Sequence, residues 1–278
     1  MSPGPRGARG GEIRLIVTAD DFGAAIEVNE AVEQGFRDGI LTATSLMVSG
    51  AAATDAVLRA RTMPELGVGL HVVLADGLPT LPAERVSALL GPDGSFHRSM
   101  LRTALLIACS PTARAQMRAE VEAQFAAFAA TGLRLDHVNA HKHFHLHPMI
   151  ASAILSTGRK YGLAAVRVPA EPGANPFLNW WASLLRRRLR RSGMLITDRV
   201  AGLRDSGAFD ESRMSDAIGT LRPGLTEVFC HPATAADWAG AAPGYRYRAE
   251  LAALTAPSVR EALESSGAVA GSFAALGR

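Results

Sequence analysis

The chain is organised around one stretch, Asp136-His-Val-Asn-Ala-His-Lys-His-Phe-His-Leu-His-Pro148. It holds five of the eight histidines, at positions 137, 141, 143, 145 and 147. On an extended backbone every second side chain points to the same side, so these imidazoles and Asn139 would share one face. Residues two apart on a strand lie about 7 Å apart, whereas a metal binds nitrogen at about 2 Å. One metal can therefore use only one or two of these histidines, and its other ligands must come from other segments.

A histidine run can also be a solvated loop, a cloned tag or a weak adventitious metal site. This run is internal, it is interrupted by other residues, and an apolar helical pattern begins at Pro148. These features favour a functional site over a tag.

The composition bounds the class of protein. The 278 residues are 48% hydrophobic, enough for the core of one α/β barrel or of one or two smaller domains. The formal net charge of +3 gives no reason to expect a nucleic-acid partner. The two cysteines, Cys109 and Cys230, are far apart, which fits a reducing compartment. No apolar stretch reaches the roughly 18 residues of a membrane span, so we expect a cytoplasmic protein.

Strand-like and helix-like segments alternate along the chain. Short apolar runs predict strands at 13–18, 42–48, 66–73, 133–139, 165–169, 194–198 and 226–230. Helical periodicity and capping residues predict helices at 24–38, 51–61, 100–109, 111–130, 148–161, 176–191, 210–221, 246–254 and 257–265, with a long loop at 75–100. The alternation is typical of α/β proteins with a parallel sheet, and the length favours a (β/α) barrel of about seven strands. Residues 1–11 are predicted to be a disordered tail, and 12–278 a single domain.

Polar side chains stand near the carboxyl ends of the predicted strands, where such sheets bind their ligands. They are Asp20, Asp21, His71, His141, Arg167 and His231. One carboxylate and two imidazoles leave open positions on a metal, which lowers the pKa of bound water. A second carboxylate can act as general base, and a histidine from another strand can protonate a leaving amine. These are the parts of metal-assisted amide hydrolysis.

Asp20 and Asp21 follow one another directly, so on a regular strand their side chains point opposite ways. A tight turn is needed for both to face one site. The alternative is that Asp21 caps the following helix, which leaves Asp20 unexplained, because an ionised carboxylate is costly to bury without a partner.

Four separated motifs resemble the YdjC-like carbohydrate deacetylases. They are Ala-Asp-Asp-Phe-Gly at 19–23, Gly-Leu-His at 69–71, Asn-Ala-His-Lys-His-Phe-His-Leu-His-Pro at 139–148 and Cys-His-Pro at 230–232. The resemblance implies removal of N-acetyl groups from amino sugars on a deformed (β/α) barrel related to polysaccharide deacetylases. The stretches 15–50 and 136–170 are most similar to the hopanoid-biosynthesis-associated branch. That branch implies an N-acetylglucosaminyl hopanoid as substrate, with chitooligosaccharides or other soluble amino sugars as the alternative.

The resemblance also implies a catalytic centre. Asp21, His71 and His141 match the ligands of one divalent metal ion, zinc or magnesium. Asp20 matches the general base, and His231 matches the candidate general acid.

Substrate contacts follow from the same resemblance. Arg167 would contact the substrate or steady the oxyanion, and Glu171 would be a further contact. His143 and His145 remain as alternative metal ligands or as sugar contacts.

Two positions depart from the pattern of the family. Many relatives have Asp where this chain has Asn139, so a carboxylate partner for a ligand histidine is missing. Ala233 stands where Gly is common. His137 and His147 are interpreted as structural.

The predicted helix at 176–191 has an unusual composition. Phe177, Trp180, Trp181 and its leucines can form an apolar face, and five arginines crowd its C-terminal half. The helix could pack on the barrel through this face, with its arginines in solvent. It could instead lie on a membrane, with Trp180 and Trp181 among the headgroups and the arginines on anionic lipid.

Two classes of function therefore compete. The first is a metal-dependent N-deacetylase acting on an N-acetylated glycolipid or amino sugar, with peripheral contact at the inner face of the membrane. The second is a non-catalytic sugar- or lipid-binding protein in which the metal is structural. A barrel hydrolase of esters or phosphoesters is a third candidate, and the sequence is compatible with a homodimer.

Overall fold

The structure, a computed structural model, describes residues 11–171, 173 and 175–277. The predicted tail at 1–11 lies outside these residues except for Gly11. The strands are β1 (Ile13–Phe22), β2 (Ala43–Leu46), β3 (Gly67–Val72), β4 (Val138–Ala140), β5 (Arg199–Ala201), β6 (Gly224–Cys230) and β7 (Val269–Ala270). They form one parallel sheet in the order β4-β3-β2-β1-β6-β5, and β7 pairs with the start of β1.

Two single-residue bridges continue this sheet beyond β4. Val138 bridges Val166, and Ala165 bridges Leu195, both in parallel. From Leu195 the same segment of chain continues into β5, which pairs with β6, so Leu195 and β5 count as one strand position. Seven strand positions thus follow one another around a ring, and the predicted deformed (β/α) barrel is confirmed. The strands predicted at 165–169 and 194–198 are reduced to these bridges.

Helices follow the strands and cover the outside of the sheet. They are α1 (Ile26–Arg37), α2 (Ala53–Arg61), α3 (Ala83–Val86), α4 (Met100–Cys109), α5 (Pro111–Ala130), α6 (Pro148–Gly158), α7 (Pro176–Arg191), α8 (Glu211–Gly219), α9 (Tyr247–Thr255), α10 (Pro257–Ser266) and α11 (Phe273–Leu276). The predicted caps are confirmed at Ser110 and Asp210, whose side chains accept the N–H groups of Ala113 and Arg213. The predicted loop at 75–100 contains α3 and a short 3₁₀ turn, Ser87–Leu89.

Alternation along β1 separates the core from the barrel interior. Leu15, Val17 and Ala19 belong to the main apolar core that includes the packed helices. Ile16 belongs to a separate small cluster with Phe273 and Leu276. The residues that continue this second row, Thr18 and Asp20, are buried and polar. The interior is therefore apolar at the amino ends of the strands and polar towards their carboxyl ends.

The histidine run is not extended as the sequence suggested. Residues His141–Leu146 form a 3₁₀ turn, within which Lys142 and His143 have φ values of 53° and 57°. Both lie in the left-handed region, which breaks the two-residue period after Ala140. The prediction that all the histidines of the run share one face is therefore wrong.

The C-terminal segment closes the amino end of the barrel. The carboxylate of Asp136 accepts the N–H groups of Phe273 and Ala274 at the start of α11, as expected for an acid at a helix N-terminus. The ring of His137 lies between this carboxylate, 3.0 Å from its Nδ1, and the ring of Phe273, 4.4 Å away between centroids. This fixed ring is packed directly against Gly69 of β3, where a Cβ atom would lie 2.6 Å from it.

We predict that Gly69→Ala destabilises the protein by about 1–3 kcal/mol, because the fixed His137 ring cannot move away from the added methyl group. Urea unfolding measures the effect. The matched control is Gly219→Ala at the end of α8, where an added Cβ meets no atom within 4 Å. Equal stability of the two variants would contradict this account of the closed barrel end.

Candidate active site

Three of the predicted ligands meet at the carboxyl end of the sheet. Oδ1 of Asp21 lies 3.1 Å from Nε2 of His71 and 3.2 Å from Nδ1 of His141. The two nitrogens are 3.3 Å apart. One cation can lie about 2 Å from all three atoms and still have coordination positions open for water. Of His141, His143 and His145, only His141 joins this cluster within the described residues.

Left-handed backbone brings these side chains together. Asp21 has a φ of 66°, at an irregularity of β1 between Ala19 and Phe22. This is the tight turn that the adjacent aspartates require. Across the described chain, the other non-glycine residues with positive φ are Asp76, Lys142 and His143. All four line the same cavity, which is where backbone strain is expected at a functional site.

Asn139 fixes the tautomer of His71. Its Oδ1 lies 2.7 Å from Nδ1 of His71, and its Nδ2 donates to Oδ1 of Asp20 at 2.9 Å. An amide oxygen only accepts, so Nδ1 of the neutral ring carries the proton and Nε2 presents its lone pair to the cluster. Asn139 thus supplies the partner that the sequence analysis considered missing. An aspartate there would lose the donor to Asp20.

Asp20 is buried, and both of its carboxylate oxygens accept hydrogen bonds. Oδ1 accepts from Ser45, Asn139 and Arg167, whereas among the described residues Oδ2 accepts only from Arg167. Burial alone raises the pKa of Asp20, but the Arg167 guanidinium and nearby imidazoles outweigh it and hold the pKa well below the usual range. Asp20 is therefore ionised, and Oδ2 is its less occupied oxygen.

The ligand cluster has its own electrostatic balance. Burial raises the pKa of Asp21, but His141 and His71 outweigh it and lower the pKa well below the ordinary value. Burial lowers the pKa of His71, but Asp21 and Asp20 outweigh it and raise the pKa above the ordinary value. A proton therefore competes with any metal for Nε2 of His71.

Arg167 lies behind the site and not in it. Its guanidinium is completely buried between Asp20 and Glu227, with Nη2 2.7 Å from the Glu227 carboxylate. It also lies 4.5 Å from the centroid of the Phe229 ring. Arg167 does not line the cavity. The prediction that it contacts the substrate or the oxyanion is therefore wrong. Arg167 positions Asp20.

The site opens into a cavity of about 470 Å³, a size typical of small-molecule sites. His231 lines it as predicted, and its Nδ1 is buried without a hydrogen-bond partner among the described residues. Tyr245 lies 5.2 Å from His231 between ring centroids. Trp238 and Tyr247 line the same wall, with ring centroids 4.1 Å apart. The cavity thus combines titratable groups with an aromatic surface.

Of the other predicted substrate contacts, His143 lines the cavity, whereas His145 and Glu171 do not. His143 lines the cavity, and burial lowers its pKa well below the ordinary value, so its ring is neutral. His145 is buried outside it and donates from Nε2 to the Arg167 carbonyl at 3.0 Å. Glu171 accepts the N–H groups of Leu203 and Arg204. The predicted substrate contacts of His145 and Glu171 are therefore corrected, although Glu171 holds the loop whose Leu203 reaches the cavity.

Two residues of the network, Ser45 and Glu227, were not predicted from the sequence. Ser45 of β2 donates to Asp20, and its oxygen lies 2.9 Å from Nδ1 of His71. Glu227 of β6 is the second partner of Arg167. Glu227 carried a usable signal, because an acid within an apolar strand needs a buried cation. A serine in a short strand carries none.

Comparisons with known proteins find relatives along most of this chain. The family model described as YdjC-like protein matches residues 14–265. A carbohydrate deacetylase of Homo sapiens is 31% identical over 289 residues, covering 92% of this chain and 88% of that protein. A carbohydrate deacetylase of Thermoanaerobacter pseudethanolicus is 28% identical over 224 residues, covering 80% and 82%. The matched range contains every residue of the cluster.

A solved structure has the same fold. It is a protein of Enterococcus faecalis V583 that is described as a cellobiose-phosphate cleavage protein. It superposes with a TM-score of 0.76 at 23% identity, covering 95% of this chain and 99% of that one. At this identity the likeness concerns the fold alone.

We predict that Asn139→Ala weakens zinc binding about 10- to 100-fold, the usual effect of removing the partner of a ligand histidine. Asn139→Asp keeps an acceptor for His71 and should lose less affinity. Isothermal titration calorimetry with zinc measures both variants, and thermal melting shows whether they remain folded. Undiminished zinc affinity in a folded Asn139→Ala protein would refute the positioning role.

Proposed function

We propose a function for this chain on the premise that it belongs to the YdjC-like protein family. The function is metal-dependent hydrolysis of the N-acetyl group of an amino sugar, which releases acetate. One observation supports it above all: Asp21, His71 and His141 meet around one point, while Asp20 and His231 line the same cavity. The named carbohydrate deacetylases among its relatives support the same substrate class.

One divalent cation would be held by Asp21, His71 and His141. Two imidazoles and one carboxylate suit zinc, and the carboxylate with water also permits magnesium. When bound, such a cation lowers the pKa of water and polarises a carbonyl group.

Asp20 would act as the general base on the attacking water. A carboxylate with so low a pKa is a weak base before reaction begins. It therefore orients the water through Oδ2 and accepts its proton as the bond to the acetamide carbon forms. Ser45, Asn139 and Arg167 hold the carboxylate in place during this transfer.

His231 would protonate the departing amine. Breaking the C–N bond needs a proton at nitrogen, and His231 lines the cavity directly after β6, the strand that pairs with β1. Water and the amide together then give acetate and the free amino sugar, so the atoms balance.

The cavity suggests the form of the substrate. A space of about 470 Å³ suits one N-acetylated sugar ring, and Trp238, Tyr245 and Tyr247 offer aromatic faces to its C–H groups. We propose an N-acetylglucosamine-type headgroup carried on a lipid, following the similarity to the hopanoid-associated branch. Soluble chitooligosaccharides are the alternative, because the same ring would enter the same cavity.

A panel of acetylated conjugates tests the activity directly. We expect mass spectrometry to detect loss of one acetyl group from N-acetylglucosamine conjugates, and a chelator to stop the reaction. O-acetylated sugars in the same panel test the alternative of ester hydrolysis. Metal binding without acetate release from any conjugate would support the non-catalytic sugar-binding function and overturn the proposal.

We predict that Asp20→Asn lowers the rate of acetate release at least about 100-fold, the usual scale for loss of a general base. Metal content by elemental analysis should stay near one ion per chain, because Asp20 is outside the ligand set. Asp38→Asn, at an exposed helix end, is the matched control and should keep full activity. Turnover of Asp20→Asn near that of the control would remove Asp20 from the mechanism.

A further inference from the structure

Helix α7 packs on the barrel through one face and leaves another uncovered. Ala182, Leu185 and Leu189 are buried, and Nε1 of Trp181 donates to the carbonyl of Leu146 at 2.7 Å. The predicted membrane-facing role of Trp181 is thereby corrected, because its ring is anchored to the barrel. Trp180, in contrast, remains 56% exposed. One face of the helix therefore packs on the barrel, as the first interpretation predicted, and another face remains uncovered.

The uncovered face of α7 is a single stripe. It begins with Phe177, Trp180 and Leu184, which are 64%, 56% and 40% exposed. The same helical spacing continues into Arg187 and Arg191. Phe177 and Trp180 also contact each other, with ring centroids 5.9 Å apart. A pair of exposed aromatic rings followed by exposed arginines thus runs along one side of the helix.

Helix α4 adds a second exposed apolar surface beside the same segment of chain. Leu101 and Leu105 are 71% and 57% exposed. The ring of His147 lies against the backbone of Ala104 in α4, and Arg188 of α7 donates to the carbonyl of Pro148 at 3.2 Å. Both helices therefore flank the segment that follows the His141 turn.

Both surfaces lie towards the carboxyl end of the sheet, where the cavity opens. Helix α7 leaves the sheet after Val166 and returns to it at Leu195, which bridges Ala165. Its first turns, with Phe177 and Trp180, are therefore at the carboxyl end. Helix α4 joins α5, which leads back to the start of β4, so the junction at Ser110 is at that end too.

We infer that these surfaces form a docking face for an anionic lipid bilayer, composed of Leu101, Leu105, Phe177, Trp180, Leu184, Arg187 and Arg191. Exposed aromatic and leucine side chains favour the headgroup region, and arginines pair with lipid phosphates. Neither α4 nor α7 contains an acidic residue, so the charge of the face suits an anionic surface. The contact is peripheral: over the part of the chain that the structure describes, no helix is both long and apolar enough to span a membrane.

A second copy of the chain fits this face less well. A symmetric dimer would place two arginine-bearing helices together with no acid from either helix to neutralise them. The docking inference goes beyond the proposed function, because binding to a bilayer requires no catalysis.

Vesicle co-sedimentation of the full chain tests the inference. Wild-type protein should bind vesicles of phosphatidylcholine with phosphatidylglycerol, and bind phosphatidylcholine alone more weakly. Phe177→Ser with Trp180→Ser should weaken binding about tenfold or more, as should Arg187→Gln with Arg191→Gln on the anionic vesicles. Leu58→Ser on α2 is the matched control, since Leu58 is also 56% exposed but lies beside Ala127 and Thr131 at the C-terminal end of α5, outside the docking face.

Three outcomes would overturn the inference. They are no wild-type binding to anionic vesicles, equal binding by the aromatic variant, and a dimer in solution that the aromatic variant dissociates. Acetate release from a soluble N-acetylglucosamine conjugate, measured on the same variants, should be unchanged. Lost docking with retained turnover would support the inference, whereas absent turnover with retained docking would count only against the proposed function.

Discussion

The site depends on one buried cation, the guanidinium of Arg167. It is completely buried and lies between the carboxylates of Asp20 and Glu227. A charge in that position is tolerable only because it is paired on both sides and lies over the Phe229 ring. The pairing also keeps Asp20 ionised. Removing Arg167 would leave the two buried carboxylates of Asp20 and Glu227 with no cation between them.

The same electrostatics explain why the cluster suits a divalent cation. With Arg167 balancing one of its two partners, the interior keeps one negative charge, and Asp21 adds a second. Asn139 and Ser45 are neutral, so they can bridge Asp20 and His71 without changing this total. Two excess negative charges match the charge of a divalent cation; the two imidazole nitrogens suit zinc, whereas the carboxylate and water also permit magnesium.

Sequence patterns predicted most strands and helices, but not where every side chain of the site points. Apolar runs and capping residues such as Ser110 are local signals, so most strands and helices were placed correctly. The single bridges at Val166 and Leu195 depend on distant partners, which no local pattern records. The turn at Lys142 and His143 uses left-handed backbone without glycine, so the alternation of the histidines was misleading. Arg167 was correctly predicted to lie near the site, but its predicted role was wrong. Its second partner, Glu227, is 60 residues away in the sequence, so no local pattern indicates the pair.

The geometry of the mouth connects the cavity with the surface around it. On the proposed function, one sugar ring would enter the cavity of about 470 Å³, and the rest of a lipid-linked substrate would remain outside. The turn that presents His141 continues directly into the 146–148 segment that supports α7 and adjoins α4. An apolar, acid-free surface at this place would let the lipid part stay in the bilayer while its headgroup enters. A soluble substrate would make no use of those exposed aromatic rings. Exposed apolar side chains that cluster on one surface are typical of an interaction site.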